Sequence, residues 1–203
     1  MCNVSRSPRP KFNSEWIKLH DGSKITLRSL KKEDIPQCLE IRKAVYGSPF
    51  TVEEWRWKYG PSSPYFFDVL VGEYQENVIG MQALLAFPFQ FGGEIKQSLN
   101  LLDLMIHPLW QKKGVFSAMI AKVERELRGS FSFMYTFPNE RSCYGFIRKF
   151  GWKRLFSPCL LVRPALLYPD AKLDSQRQIE NRVGILKDKQ YIRWRYSRPG
   201  RTY

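Results

Sequence analysis

The residues best suited to chemistry lie in one short turn, Gln111-Lys112-Lys113-Gly114-Val115-Phe116. It places basic residues and a glycine just ahead of a run with helical spacing. The first amides of a helix have no intrahelical partner, the helix dipole adds partial positive charge, and a glycine lets the main chain come close to an anion. Lys112 and Lys113 add point charge. The chemistry predicted is the holding of a phosphate or pyrophosphate.

The flanking elements must position that turn. Ile95 to Ile106 is rich in Leu and Ile and predicts a central strand buried on both faces, ended by His107-Pro108. After Gly114, residues Phe116, Met119, Ile120, Val123 and Leu127 form one apolar stripe of a helix closed by Gly129. Upstream, Trp16 to His20 and Lys24 to Leu30 flank Asp21-Gly22 and predict a hairpin, in which His20 is given no role. A helix runs from Glu33-Asp34 to Gly47, a second covers Val52 to Tyr59, and strands cover Phe66 to Tyr74 and Val78 to Phe91. Downstream come a strand, Phe131 to Phe137, and a helix capped by Asn139 and stopped by Gly151. Two short strands are predicted within Trp152 to Val162.

Composition excludes several classes. A hydrophobic fraction of 43% with 15% aromatics is enough for a packed core, and no run approaches the roughly 18 apolar residues of a membrane span. Cys2, Cys38, Cys143 and Cys159 are too dispersed for a zinc knuckle or a disulfide framework, which fits a reducing cytoplasm. The net charge of +14 favours anionic partners, and it gathers at the ends: residues 177–203 hold eight basic against two acidic side chains, a net +6.

At this point the sequence resembles the GNAT acetyltransferase superfamily. Ile106-His107-Pro108 stands for the end of the family's motif strand, Gln111 for the Q/R and Gly114 for the first glycine of Q/R-x-x-G-x-G/A, while Phe116 departs from the final Gly or Ala. A side chain there must turn away from the cofactor, so Phe116 fits only if it faces the core. The segment from Asn139 to Gly151-Trp152 is similar to a second family signature, with one extra residue between Phe146 and Gly151. Phe137-Pro138-Asn139 and Trp194-Arg195-Tyr196 resemble a bacterial branch of acetyltransferase-like proteins, of which the chain would be a short or truncated member.

The resemblance covers residues 16 to 162 and implies an α/β (α+β) domain, a mixed, mostly antiparallel sheet flanked by helices, with acetyl-CoA as acyl donor. It implies that backbone groups near Met105 and Ile106 hold the pantetheine arm in a splay between two strands. Amides from Gln111 through Lys112, Lys113, Gly114 and Val115 to Phe116 would hold the pyrophosphate, with Asn139 nearby. An amine or sugar acceptor attacks the thioester directly, which calls for a proton acceptor and a proton donor. Asp103, alone in its apolar strand, is the candidate base; the alternative is that it merely holds a neighbouring backbone group or arginine. Glu73 and His107 are weaker candidates. The family's usual tyrosine position is Ile147 here, leaving Tyr144 as the candidate acid and Tyr135 behind it.

Three segments are expected: a flexible basic leader over 1–13, the acyltransferase-like domain over 14–162, and a basic aromatic extension over 163–203. The interleaved Tyr191-Ile192-Arg193-Trp194-Arg195-Tyr196 suits either packing on the domain or stacking on single-stranded nucleic acid, with packing favoured. Two functions stay open: an acyltransferase, or a catalytically idle relative that binds a ligand or polyanion.

Overall fold

A computed structural model of the chain describes residues 11–48, 50–60, 63–155 and 183–202. Asp21 and Gly22 close the first hairpin, β1 (Glu15–Lys18) with β2 (Lys24–Ser29), and the Asp21 carboxylate accepts the Ser23 amide at 3.0 Å. Helix α1 (Ile35–Tyr46) follows a single 3-10 turn, and α2 (Val52–Tyr59) opens on a capping box in which Thr51 Oγ and the Glu54 carboxylate each accept the other's amide at 3.1 Å. The long strands β3 (Phe66–Tyr74), β4 (Asn77–Phe91) and β5 (Glu94–Ile106) follow, then α3 (Val115–Leu127), β6 (Phe133–Thr136) and α4 (Glu140–Tyr144), which runs on into a π turn at Gly145–Lys149. After residue 183 come β7 (Gly184–Ile185) and α5 (Lys189–Tyr196).

The sheet order is β1-β2-β3-β4-β5-β6, with β7 added against β4; every neighbouring pair is antiparallel except β5 and β6. Alternation along the strands sends two sets of side chains to opposite faces. Leu27, Leu70, Leu84, Leu99 and Leu101 meet the α3 stripe of Val115, Met119, Ile120, Val123 and Leu127. Val69, Val71, Met81, Ala83 and Met105 meet Cys38 and Ile41 of α1 and Trp55 and Tyr59 of α2. Beside this second layer, Tyr65, Leu85 and Phe87 are covered by Tyr191 and Trp194 of α5.

Charged side chains tie the layers together. Lys122 of α3 is fully buried and reaches Glu15 of β1 at 3.0 Å and Glu126 one turn on. Arg28 of β2 holds Asp34 at 2.7 and 3.0 Å and donates to Glu73 of β3 at 2.8 Å. Burial pushes the Asp34 carboxyl up, but Arg28 and the Lys31 amide outweigh it and keep it below its ordinary value. Such a carboxylate stabilises the fold above its unfolded pKa and loses that contribution as pH falls through its lowered folded value. Asp34→Asn should therefore cost about 2–4 kcal/mol at neutral pH, and the gap to wild type should close in acid. Urea unfolding at pH 7 and pH 3 measures both.

Four expectations are corrected. Phe12, assigned to the flexible leader, is buried and donates its amide to Ser29 Oγ at 2.8 Å, because β2 offers it an apolar seat; residues 1–10 lie outside the described set. The start of β5 is not buried on both faces, since the β4–β5 hairpin projects past the helices and leaves Ile95 61% exposed. Strand β6 is limited to Phe133–Thr136. Residues 152–155 form no strand, and the remainder of that predicted pair, 156–162, lies outside the described residues.

Candidate active site

The site begins where the parallel pair comes apart. β5 and β6 are in register from Ser98↔Phe133 to Leu101↔Thr136 and no further, although β5 continues to Ile106. Just past that point β5 carries a bulge. Its register with β4 passes from Ala83↔Leu102 to Met81↔Met105, so Asp103 and Leu104 lie opposite the single residue Gln82. Asp103 takes a φ of +48°, a conformation that Asp and Asn tolerate better than other side chains. The Gln82 amide donates to Leu102 O at 2.7 Å and to Ala83 O at 2.9 Å, which satisfies the carbonyl the bulge releases. On the side facing β6, the stretch of β5 with Met105 and Ile106 has no strand partner among the described residues. Its backbone can bond an extended ligand instead.

Beyond Ile106 a 3-10 turn, Pro108–Trp110, leads to the basic turn and α3. Gln111 donates to Ile106 O at 3.2 Å and so pins the loop to the strand end. Gly114 caps α3 with φ +99°, and the Val115, Phe116 and Ser117 amides begin the helix. Lys112 is exposed; Lys113 lies 3.3 Å from Asp21 and 4.7 Å above the Trp110 ring. Sequence reasoning missed His20. Its imidazole lies over Gly114 so closely that a β-carbon there would stand 2.9 Å from Cδ2. The hairpin turn thus roofs the anion turn, and a groove of about 270 Å³ runs from it between Lys18 and Leu19 on one side and Lys149 and Phe150 on the other.

Phe116 turns inward, edge-on to Phe146 at 5.4 Å and near Phe150 at 6.2 Å. The room comes from α4: a β-carbon on Gly145 would lie 2.7 Å from the Phe116 ring. The small residue absent from α3 is supplied across the helix contact. The extra residue before Gly151 is taken up by the π turn, the usual way a helix absorbs one insertion. Asn139 spends its Oδ1 on the α4 cap, accepting the Ser142 amide at 2.9 Å.

Asp103 points to the α1–α2 face. Lys58 donates to it at 2.6 Å, the Tyr59 hydroxyl donates to it at close range, and an Arg42 nitrogen stands 3.9 Å away. It is therefore the partner of cations and a hydroxyl from two helices, none of which its place in an apolar strand reveals. Glu73 is held by Arg28, and His107 Nδ1 accepts the Leu109 amide at 3.3 Å. Tyr144 is 71% exposed, and Ile147 is partly exposed. Tyr135 is half-buried with its hydroxyl enclosed, and burial, with Tyr191 nearby, raises its pKa and keeps it protonated.

The sheet thus parts between two parallel strands, with a glycine-capped helix at the end of the gap. The family model for the acetyltransferase (GNAT) domain matches residues 26–155, and the chain belongs to that family. The fold agrees with solved structures. A Trypanosoma brucei acetyltransferase is 18% identical with a TM-score of 0.54, over 68% of this chain and 99% of its own. An aminoglycoside N-acetyltransferase in complex with CoA is 13% identical with a TM-score of 0.55, over 71% and 97%. An aminoglycoside acetyltransferase from an uncultured soil metagenomic sample, in complex with trehalose, is 15% identical with a TM-score of 0.51, over 68% and 97%. No curated protein matches the chain in sequence. Among the described residues no helix is long and apolar enough to cross a membrane.

Proposed function

We propose that the protein transfers an acetyl group from acetyl-CoA to the amine of a small acceptor in the cytoplasm. The observation that carries this reading is the gap beyond Leu101 and Thr136, which leads from the bulge at Asp103 to the Gly114 turn. Main-chain groups of Met105 and Ile106 would bond the pantetheine amides. The amides from Gln111 to Phe116, with Lys112 and Lys113, would hold the pyrophosphate, and the free side-chain nitrogen of Asn139 could add a contact. The acceptor comes from the α1–α2 face, because the phosphate end of the donor lies with α3 on the other.

In the reaction the amine nitrogen bonds to the thioester carbon and the carbon–sulfur bond breaks. One proton leaves the acceptor ammonium and one reaches the departing thiolate. Asp103 is placed to take the first once the incoming ammonium competes with Lys58 for its carboxylate. Tyr144 is the candidate for giving the second, with Tyr135 as the half-buried alternative; comparing Tyr144→Phe with Tyr135→Phe in single-turnover thiol release separates them. Calorimetry with acetyl-CoA tests the whole reading, since absence of binding overturns it.

A second reading, a catalytically idle module that binds the same cofactor, is favoured by the absence of a hydroxyl at Ile147 and by the engagement of Asp103. It predicts acetyl-CoA binding with no thiol release across an acceptor panel. Binding of nucleic acid by the tail is disfavoured by its packing. Trp57 and Trp194 stack at 5.2 Å, and each indole N–H donates to the other's carbonyl, at 2.7 and 3.1 Å. Trp194→Ala is expected to cost about 2–4 kcal/mol of stability, below the range for a fully buried tryptophan because Trp194 is partly exposed. Thermal unfolding would show it.

A further inference from the structure

The neighbouring aminoglycoside enzymes take polycationic sugars, and such acceptors need a carboxylate-rich approach. Among the described residues the α1–α2 face has the opposite balance: around the bulge stand Arg42, Lys58 and one carboxylate, Asp103, which Lys58 at 2.6 Å and the Tyr59 hydroxyl already occupy. Glu54 of α2 is paired with Arg198 at 2.9 Å.

Arg42 is the least engaged of these groups, although its charge also acts on Glu54. It stands 3.9 Å from Asp103, outside hydrogen-bond reach, and its buried Nε has no partner among the described residues. Its guanidinium is fixed 4.4 Å above the Phe50 ring and 5.1 Å from Tyr46, yet the side chain keeps 20% of its surface exposed. A guanidinium held against aromatic rings, with donors left over, is a preorganised receptor for a carboxylate or phosphate.

We propose that the acceptor is an amine carrying its own anionic group, carboxylate or phosphate, with the ammonium drawn to Asp103 and the anion to the Arg42 fork. The inference rests on the acetyltransferase reading and narrows it. Lys58, displaced from Asp103 by the ammonium, turns to the same anion. A neutral amine leaves Arg42 unpaired, and a polycation meets two like charges.

The test uses the full chain and two matched pairs, β-alanine with β-alaninamide and phosphoethanolamine with ethanolamine, together with kanamycin. Equilibrium binding is measured with and without CoA, and thiol release with acetyl-CoA. The anionic member of at least one pair should bind or react at least tenfold better than its neutral partner. Preference in the β-alanine pair marks a carboxylate, and preference in the phosphoethanolamine pair a phosphate. Arg42→Gln should reduce the preference to under threefold through binding or KM, while acetyl-CoA affinity is unchanged; Arg42→Lys should retain part of it. Equal or better use of the neutral amines or kanamycin, no binding by any anionic member, or a preference that survives Arg42→Gln overturns the proposal. Loss of acetyl-CoA binding in the unaltered chain overturns the acetyltransferase reading instead, and binding of the anionic amines without CoA still judges the Arg42 site.

Discussion

Gly114→Asp should lower acetyl-CoA affinity on the order of 100-fold or more, roughly 2.7 kcal/mol. Three effects add. The residue sits at φ +99°, where a side chain costs about 1–2 kcal/mol. Any β-carbon there also meets His20 at 2.9 Å, so the hairpin roof must lift. A carboxylate beside the first amides of α3 then competes with the phosphates for the same donors. Gly114→Ala separates them, because it brings the first two effects without the charge. Combining it with His20→Ala relieves the contact and leaves only the backbone term. Calorimetry on the four proteins gives each increment, and an aspartate variant that binds like wild type would remove the phosphate site from this turn.

Asp103→Asn should reduce kcat/KM by at least about 100-fold, the lower range for loss of a proton-transfer group, while acetyl-CoA affinity stays within a few fold. Asparagine tolerates the positive φ, so the bulge and the Gln82 bonds that brace it survive. What disappears is the negative charge that Lys58 and Arg42 face. Asp103→Leu should behave differently. A branched side chain is unsuited to that backbone, the bulge relaxes, and cofactor affinity falls together with turnover. If the asparagine variant turns over normally, Asp103 is structural and the acceptor reaches the site already deprotonated.

These two residues also show what the sequence made legible and what it did not. The anion turn could be read because everything that defines it is local: lysines, a glycine, and the apolar stripe from Phe116 to Leu127. The hairpin, α1, α2 and the three long strands were visible for the same reason, since period and turn chemistry are properties of neighbouring residues. The environment of Asp103 could not be read, because Lys58 and Tyr59 come from a helix more than 40 residues earlier in the chain. Nor did any local signal join His20 to Gly114 or Phe116 to Gly145. The extra residue before Gly151 was visible as a count, but its accommodation by a π turn depends on how α4 packs on α3. The burial of Lys122 was not legible either, because one of its two carboxylate partners, Glu15, comes from a strand 107 residues earlier.

The reciprocal bonds between Trp57 and Trp194 join positions 137 residues apart. A contact of that span closes a long loop, so α5 is expected to dock after α2 and the strand carrying Phe87 as the chain folds. Opening should follow the reverse order, with release of α5 unstacking the two indoles before the sheet is disturbed. Indole hydrogen exchange at this pair should therefore report a sub-global opening that precedes the main unfolding transition.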